Sequence, residues 1–223
     1  MDDAGVIDSV SLRRGAEDFR YLLGRGYPRK NSLELVGNRY DLRKDARELL
    51  HRGVFSPEDA ARRKEKLVSV ERLEGAGLAV DGHNVLITIE TALGQKPLVV
   101  ADDGLIRDIS GVSSSYKMSD LTLRAIDLIM DILRDSKPKN VFFLFDAPIS
   151  KSGRLASYVA DCLKAAGLAG EGQAVKVPER ILMGGRGMVA TSDTAIIDRV
   201  AKVVDLAGHV IRTRIRRSWL ITL

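Results

Sequence analysis

The sequence predicts an α/β fold in which a mostly parallel sheet is flanked by helices, preceded by a small all-α module. Three observations lead there. Helix punctuation dominates up to about Gly77, short apolar runs ending in polar or glycine-containing turns take over from Leu78, and amphipathic stretches fit between those runs. The change of texture divides the chain into a helical module over residues 1–76 and an α/β domain over 77–223.

In the N-terminal part, Phe19, Leu22 and Leu23 share one face of a helix over residues 12–23, which Gly24 and Gly26 stop. Pro28 opens a turn, and residues 32–36 read as a brief second helix ended by Gly37. Asp41 is the expected N-cap of a third helix that ends at Gly53. The fourth has the clearest start, with Ser56 as N-cap, Pro57 at the first helical position and Asp59 in the first turn. Strands are expected at 77–80, 97–100, 140–145, 188–190 and, on the weakest pattern, 210–211. Helices are expected at about 85–93, 119–134, 153–166 and 194–207. This alternation argues for parallel strands joined by right-handed crossovers, with a ligand site beyond their carboxyl ends.

Composition narrows the function classes. No apolar run approaches the roughly 20 residues that span a bilayer, and Met1 to Gly5 lack a basic region followed by a hydrophobic stretch, so a cytoplasmic protein without a membrane partner is expected. One cysteine, Cys162, excludes a disulfide or a zinc-thiolate site within the chain and reads as a free buried thiol. The net charge of +5 comes from 35 basic and 30 acidic residues, a mixed balance that permits an anionic partner without demanding one.

The most informative pattern lies at the ends of the apolar runs. Asp81 ends the first, Asp102 and Asp103 the second, Asp146 the third, and Asp193 comes shortly after the fourth. Parallel strands would point all of them toward one edge, where carboxylates repel one another unless a cation neutralises them. Mg²⁺ or Mn²⁺ suits such oxygen ligands, and the chemistry it serves is metal-assisted displacement at phosphorus. Each aspartate also has an ordinary use as a helix cap or turn residue: Asp193 immediately precedes a helix, Asp146 precedes Ala147 and Pro148, and Asp102 and Asp103 can form a turn with Gly104.

Two motifs carry a resemblance. Val80-Asp81-Gly82-His83-Asn84-Val85-Leu86 resembles the first-strand motif of the NYN branch of PIN-like ribonucleases, and Val189-Ala190-Thr191-Ser192-Asp193-Thr194 is similar to a later strand of theirs. The resemblance covers residues 78–207 and implies that Asp81 and Asp193 bind metal and that Asn84 orients water or phosphate. PIN enzymes also carry an acidic residue on a mid-domain helix, for which Asp120, Asp127 and Asp131 are candidates, while residues 101–108 have no counterpart. The whole chain further resembles a mainly archaeal family that joins a helical module to such a domain.

The leading expectation is therefore a metal-dependent ribonuclease in which Asp81, Asn84, Asp146 and Asp193 are catalytic, with Asp102 and Asp103 as further ligands. Ser150, Lys151 and Ser152, between a strand and a helix, are candidates for phosphate contact, as are Thr191 and Ser192. Arg25, Arg29, Lys30, Asn38 and Arg39, among tyrosines, have the composition of a single-strand RNA surface, or of a solvated, salt-bridged helical face. Residues 212–217 read as a charge-guarded edge strand or as a phosphate-binding rail, and the apolar end after Trp219 as a segment that docks, pairs or forms a homodimer contact. His83 either aids proton transfer or points away. Two alternatives stand beside the nuclease: a phosphatase of the haloacid dehalogenase type, and a non-catalytic RNA- or ribosome-associated module.

Overall fold

The computed structural model describes residues 10–110, 116–185 and 187–223; the terminal stretch Met1 to Gly5 lies outside them. In chain order come α1 (Val10–Gly24), α2 (Arg29–Arg39), α3 (Lys44–Gly53) and α4 (Pro57–Glu65), then a 3-10 turn at Val70–Leu73. β1 (Gly77–Asp81), α5 (Gly82–Leu93), β2 (Pro97–Val100), β3 (Ile106–Asp108), α6 (Asp120–Ser136) and β4 (Asn140–Asp146) come next. The chain continues through α7 (Ser152–Ala165), β5 (Gly170–Val175), α8 (Pro178–Gly184), β6 (Met188–Ala190), α9 (Thr194–Ile197) and β7 (Val203–Val204). It closes with α10 (Leu206–Arg214) and β8 (Trp219–Thr222). Among the described residues no helix is long and apolar enough to cross a membrane.

These elements form two compact units. The first takes residues 10–65, 97–110 and 219–223. Its α1 stripe of Leu12, Ala16 and Phe19 packs with Ala46, Leu49 and Leu50 of α3, and with Val99 and Ile221 from a small sheet of order β3-β2-β8. The strand expected at 97–100 in the main sheet is therefore here, antiparallel to β3 and parallel to β8. The elements before Gly77 are all helices, as expected, and the compact unit that residues 10–65 belong to also takes in β2, β3 and β8 from later in the chain. Within the chain, the segment after Trp219 pairs as a strand. Ser56 accepts the Asp59 amide at 3.1 Å, as its cap position requires. By contrast, α3 starts at Lys44 and Asp41 sits in a left-handed turn at φ 48°. Gly37 does not end α2, which continues to Arg39; the Arg47 guanidinium lies over it.

The second unit takes residues 66–96, 116–185 and 187–218 and is built on a five-stranded, wholly parallel sheet of order β5-β4-β1-β6-β7. Leu78 and Val80 of β1 and Val141, Phe143 and Phe145 of β4 point into a core closed by Leu86 and Ile89 of α5 and Ile126, Ile129 and Leu133 of α6. Truncating one of these buried side chains to alanine costs about 2–5 kcal/mol. The expected strand at 210–211 is instead inside α10, where Val210 and Ile211 are both fully buried; an apolar pair has the same composition in either state. The helix expected over 194–207 ends at Ile197, and β7 then pairs with β6. β5 and α8 are additions to the expected order, since Gly170-Glu171-Gly172-Gln173 reads as a polar loop.

From β1 the chain runs outward to β4 and β5, then returns to the other side of β1 for β6 and β7. The order of connections reverses between β1 and β6, and open parallel sheets bind ligands beyond the carboxyl ends of the strands at such a crevice.

Candidate functional site

Asp81 ends β1 and Asp193 lies three residues beyond β6, so the two flank the switch point, and Asp146 ends the neighbouring β4. All three, with Asn84 from the first turn of α5, line one cavity of about 360 Å³. The residue after Asp81 must be glycine for this arrangement to pack, because a Cβ on Gly82 would lie 2.3 Å from the Phe145 ring.

The loop after β6 fixes two of the polar groups. Thr191, buried, donates its hydroxyl to Asp81 Oδ2 at 2.9 Å and accepts the Asp193 amide at 3.1 Å. The Ser192 amide and hydroxyl both donate to Asn84 Oδ1, at 2.8 and 3.0 Å. A backbone N–H can only donate, so the acceptor must be the Asn84 carbonyl oxygen, and the side-chain NH₂ is left for the cavity. Asp193 Oδ1 meanwhile caps α9 by accepting from the amides of Ala195 (2.7 Å) and Ile196 (3.3 Å). Thr191 and Ser192 thus hold the acids and the amide in place; their hydroxyls are spent there and are not offered to a phosphate, contrary to the expectation from sequence.

Burial pushes the Asp81 carboxyl up to about 7 from 3.8; the charges of Asp146 and Asp193 add to the rise, and hydrogen bonds from the Thr191 hydroxyl and the Asn84 backbone N–H oppose it. Repulsion among the acids is real here but smaller than desolvation.

His83 is fully buried with its ring edge-on to Phe145 and Tyr116, at centroid distances of 5.2 and 5.3 Å. Its Nδ1 lies 3.2 Å from the Asp146 amide and 3.3 Å from Asp146 Oδ2. The nitrogen serves one of the two at a time, accepting from the amide when bare or donating to the carboxylate when protonated. Nε2 is buried without a hydrogen-bond partner among the described residues. Burial lowers the pKa of the ring and Asp146 works against that. The residue does not line the cavity, so its contact with the site is through the position of Asp146.

Other sequence candidates fall outside this cavity. Asp102 and Asp103 belong to the first unit, in the turn between β2 and β3 with Gly104 at φ 89°. Asp102 takes a two-pronged bond from Arg20 (2.9 and 2.8 Å) and accepts the Phe55 amide, while buried Asp103 takes a matching pair from Arg107 at 2.7 Å each. Both carboxylates are structural and do not join the metal set proposed for them. Ser152 is buried and spends its hydroxyl on the carbonyls of Asp146 and Ile149 at 2.7 Å each, which removes it as a phosphate contact, whereas Ser150 and Lys151 are exposed. In the first unit Arg29 donates to the carbonyls of His51 and Val54, Asn38 accepts from Arg47, and Arg39 pairs with Asp18 at 3.5 Å. Arg25 and Lys30 are exposed. Glu179 of α8 also lines the cavity and is absent from the sequence candidates, because β5, which leads to it, is not legible as a strand. Among the described residues no three His, Cys, Asp or Glu side chains form a group that could by itself hold a metal ion.

Residues 70–209 match the family described as a domain of unknown function, DUF5616. The chain belongs to that family. The DUF5616 match contains the whole cavity, while residues 11–66 match a second family described as a protein of unknown function, DUF434. The uncharacterized protein MJ0935 of Methanocaldococcus jannaschii is 36% identical over 204 residues, covering 91% of this chain and 97% of its own length. No solved structure matches.

Proposed function

We propose that this chain is a metal-dependent ribonuclease of the PIN-like kind. The observation that carries the reading is the convergence of Asp81, Asp146 and Asp193 on one cavity at the switch point of a parallel sheet, with the Asp81 carboxyl held near neutrality. The donor set fits a hard divalent ion: its atoms are carboxylate oxygens, and Mg²⁺ or Mn²⁺ is commonly held by one or two carboxylates while keeping several waters. Since among the described residues no three of these acids group closely enough to hold an ion by themselves, Asp81 would take it with one neighbouring carboxylate, Asp146 or Asp193, and water, and when bound it supplies Lewis-acid stabilisation and an activated water at a phosphodiester.

The chain's own residues then have distinct tasks. Asn84, its carbonyl oxygen taken by Ser192, donates N–H to a phosphate oxygen. Thr191 holds Asp81 through its hydroxyl, and His83 positions Asp146. Ser150 and Lys151, exposed just after the cavity-lining Pro148 and Ile149, meet the next phosphate. The dehalogenase-type alternative draws no support from the residue two places after Asp81, which is His83 and is turned into the core.

The test is cleavage of single-stranded and structured RNAs by the purified protein in Mn²⁺. The wild type should cut and Asp81→Asn should not, while Asn84→Ala should slow cleavage by about 100-fold, the usual effect of removing one donor to a developing charge. Equal cleavage by wild type and Asp81→Asn would end the proposal. RNA binding without turnover in any of these ions would leave the non-catalytic module in its place.

A further inference from the structure

The second unit holds a larger concavity, of about 570 Å³, whose walls contain Arg124, Arg214, Arg216 and Arg217 against a single carboxylate, Asp127. We propose that this groove binds the phosphodiester backbone of RNA, independently of sequence; naming RNA as the polyanion rests on the ribonuclease reading above.

Three features carry the assignment. First, the charge is unbalanced: Arg214 pairs with Asp135 at 2.7 Å, but Arg124, Arg216 and Arg217, all exposed, have no ion-pair partner among the described residues. Second, the floor is apolar and fixed. Leu93 at the end of α5, Leu128 of α6 and Ile215 after α10 pack against the main core, so the guanidinium groups stand over low-dielectric surface, where their attraction for an anion is strengthened. Third, the segment bearing Arg216 and Arg217 is pinned, because Gln95, itself in a left-handed turn at φ 57°, donates Nε2–H to the Arg217 carbonyl at 2.9 Å. Unlike a flexible basic tail, this loop has its shape before the ligand arrives, which lowers the ordering cost of binding. Of the two readings the sequence allows for residues 212–217, an edge strand or a phosphate rail, the strand is absent: Arg212 to Arg214 end α10 and the rest is loop. All the cations are arginines, whose planar fork matches two oxygens of one phosphate.

The experiment is anisotropy of a fluorescein-labelled single-stranded RNA titrated with the full chain in EDTA across a KCl series. Each phosphate contact on a single strand contributes about 0.7 to the slope of log affinity against log salt. The triple variant Arg124→Gln, Arg216→Gln, Arg217→Gln should therefore lose about 2 from the slope and at least about tenfold in affinity at low salt. A control that removes the same charge elsewhere on the unit, Lys139→Gln, Lys164→Gln, Lys176→Gln, should leave the slope near that of wild type. Equal effects from the two triples, or none from the first, would overturn the proposal. So would an acidic peptide that displaces the RNA as well as inorganic polyphosphate does at equal charge, since that points to a protein partner. The arginine triple is read as binding in EDTA and the catalytic reading as cleavage in Mn²⁺, so failure of the groove and failure of the catalytic reading are seen in different measurements.

Discussion

Replacing Asp81 with asparagine should stabilise the metal-free protein, and by an amount that depends on pH. Asn keeps an oxygen to accept from Thr191 but carries no charge to desolvate. In the wild type the folded carboxyl titrates at about 7, against 3.8 when unperturbed. Between those values the folded chain holds a proton that the unfolded chain has released, so wild-type stability falls as pH rises through the window and levels off above 7. Each unit corresponds to about 1.4 kcal/mol, which puts the full cost of the ionised carboxylate on the order of 4 kcal/mol. From pH 5 to pH 8 only the part between 5 and 7 is lost, about 3 kcal/mol as an upper bound. His83 acts in the opposite sense, because burial lowers its pKa and stability is lost as pH falls through its unfolded value; it is common to both proteins and cancels in the comparison. The assay is urea unfolding of wild type and Asp81→Asn in EDTA, monitored by circular dichroism at the two pH values. The stabilisation of the variant should be larger at pH 8 by about 1 kcal/mol or more, approaching about 3. Adding Mn²⁺ at pH 8 should then raise the stability of the wild type and not that of the variant. A difference between the proteins that does not change with pH, or a variant less stable than wild type at pH 8, would refute the argument that an unneutralised buried carboxylate sits at the end of β1.

Three further outcomes rest on the same kind of contact. Thr191→Val removes the donor to Asp81 and leaves the Asp193 amide without its acceptor, so urea unfolding should show a loss of about 1–3 kcal/mol, and cleavage should fall with it. In the first unit, Asp103→Asn breaks the buried two-pronged ion pair to Arg107 and should cost about 3–5 kcal/mol, part of which returns when Arg107→Met is added, as double-mutant unfolding would measure. Gly82→Ala drives a methyl group into the Phe145 ring and should destabilise by about 1–3 kcal/mol, read as a lowered melting temperature together with weaker Mn²⁺-dependent stabilisation.

How much of this is legible in the chain differs between its two units, for a physical reason. The strands β1, β4 and β6 are apolar runs buried in one core, and their ends are readable because Asp81 and Asp146 end the first two and the polar Thr191-Ser192-Asp193 follows the third. β2 has the same texture, yet its partners are β3 and β8, and the choice between two cores depends on residues as distant as Phe19 and Ile221, which no local pattern records. The aspartates divide along the same line. Asp102 and Asp103 look in one dimension like Asp146, but Arg20 comes to the first from 82 positions away, and Arg107 to the second across a tight turn. The spacing Asp103 to Arg107 is the one local signal that these acids are already neutralised. Asp81, Asp146 and Asp193 have hydroxyl, amide and imidazole partners and no lysine or arginine within ion-pair distance among the described residues. Two classes of strand-end acid therefore exist in one chain, separated by whether the fold supplies their cation. At Asp81, whose carboxyl burial holds up to about 7, the charge is met near neutral pH by a proton or by an ion from outside, and competition between those two is what a metal titration repeated across pH would measure.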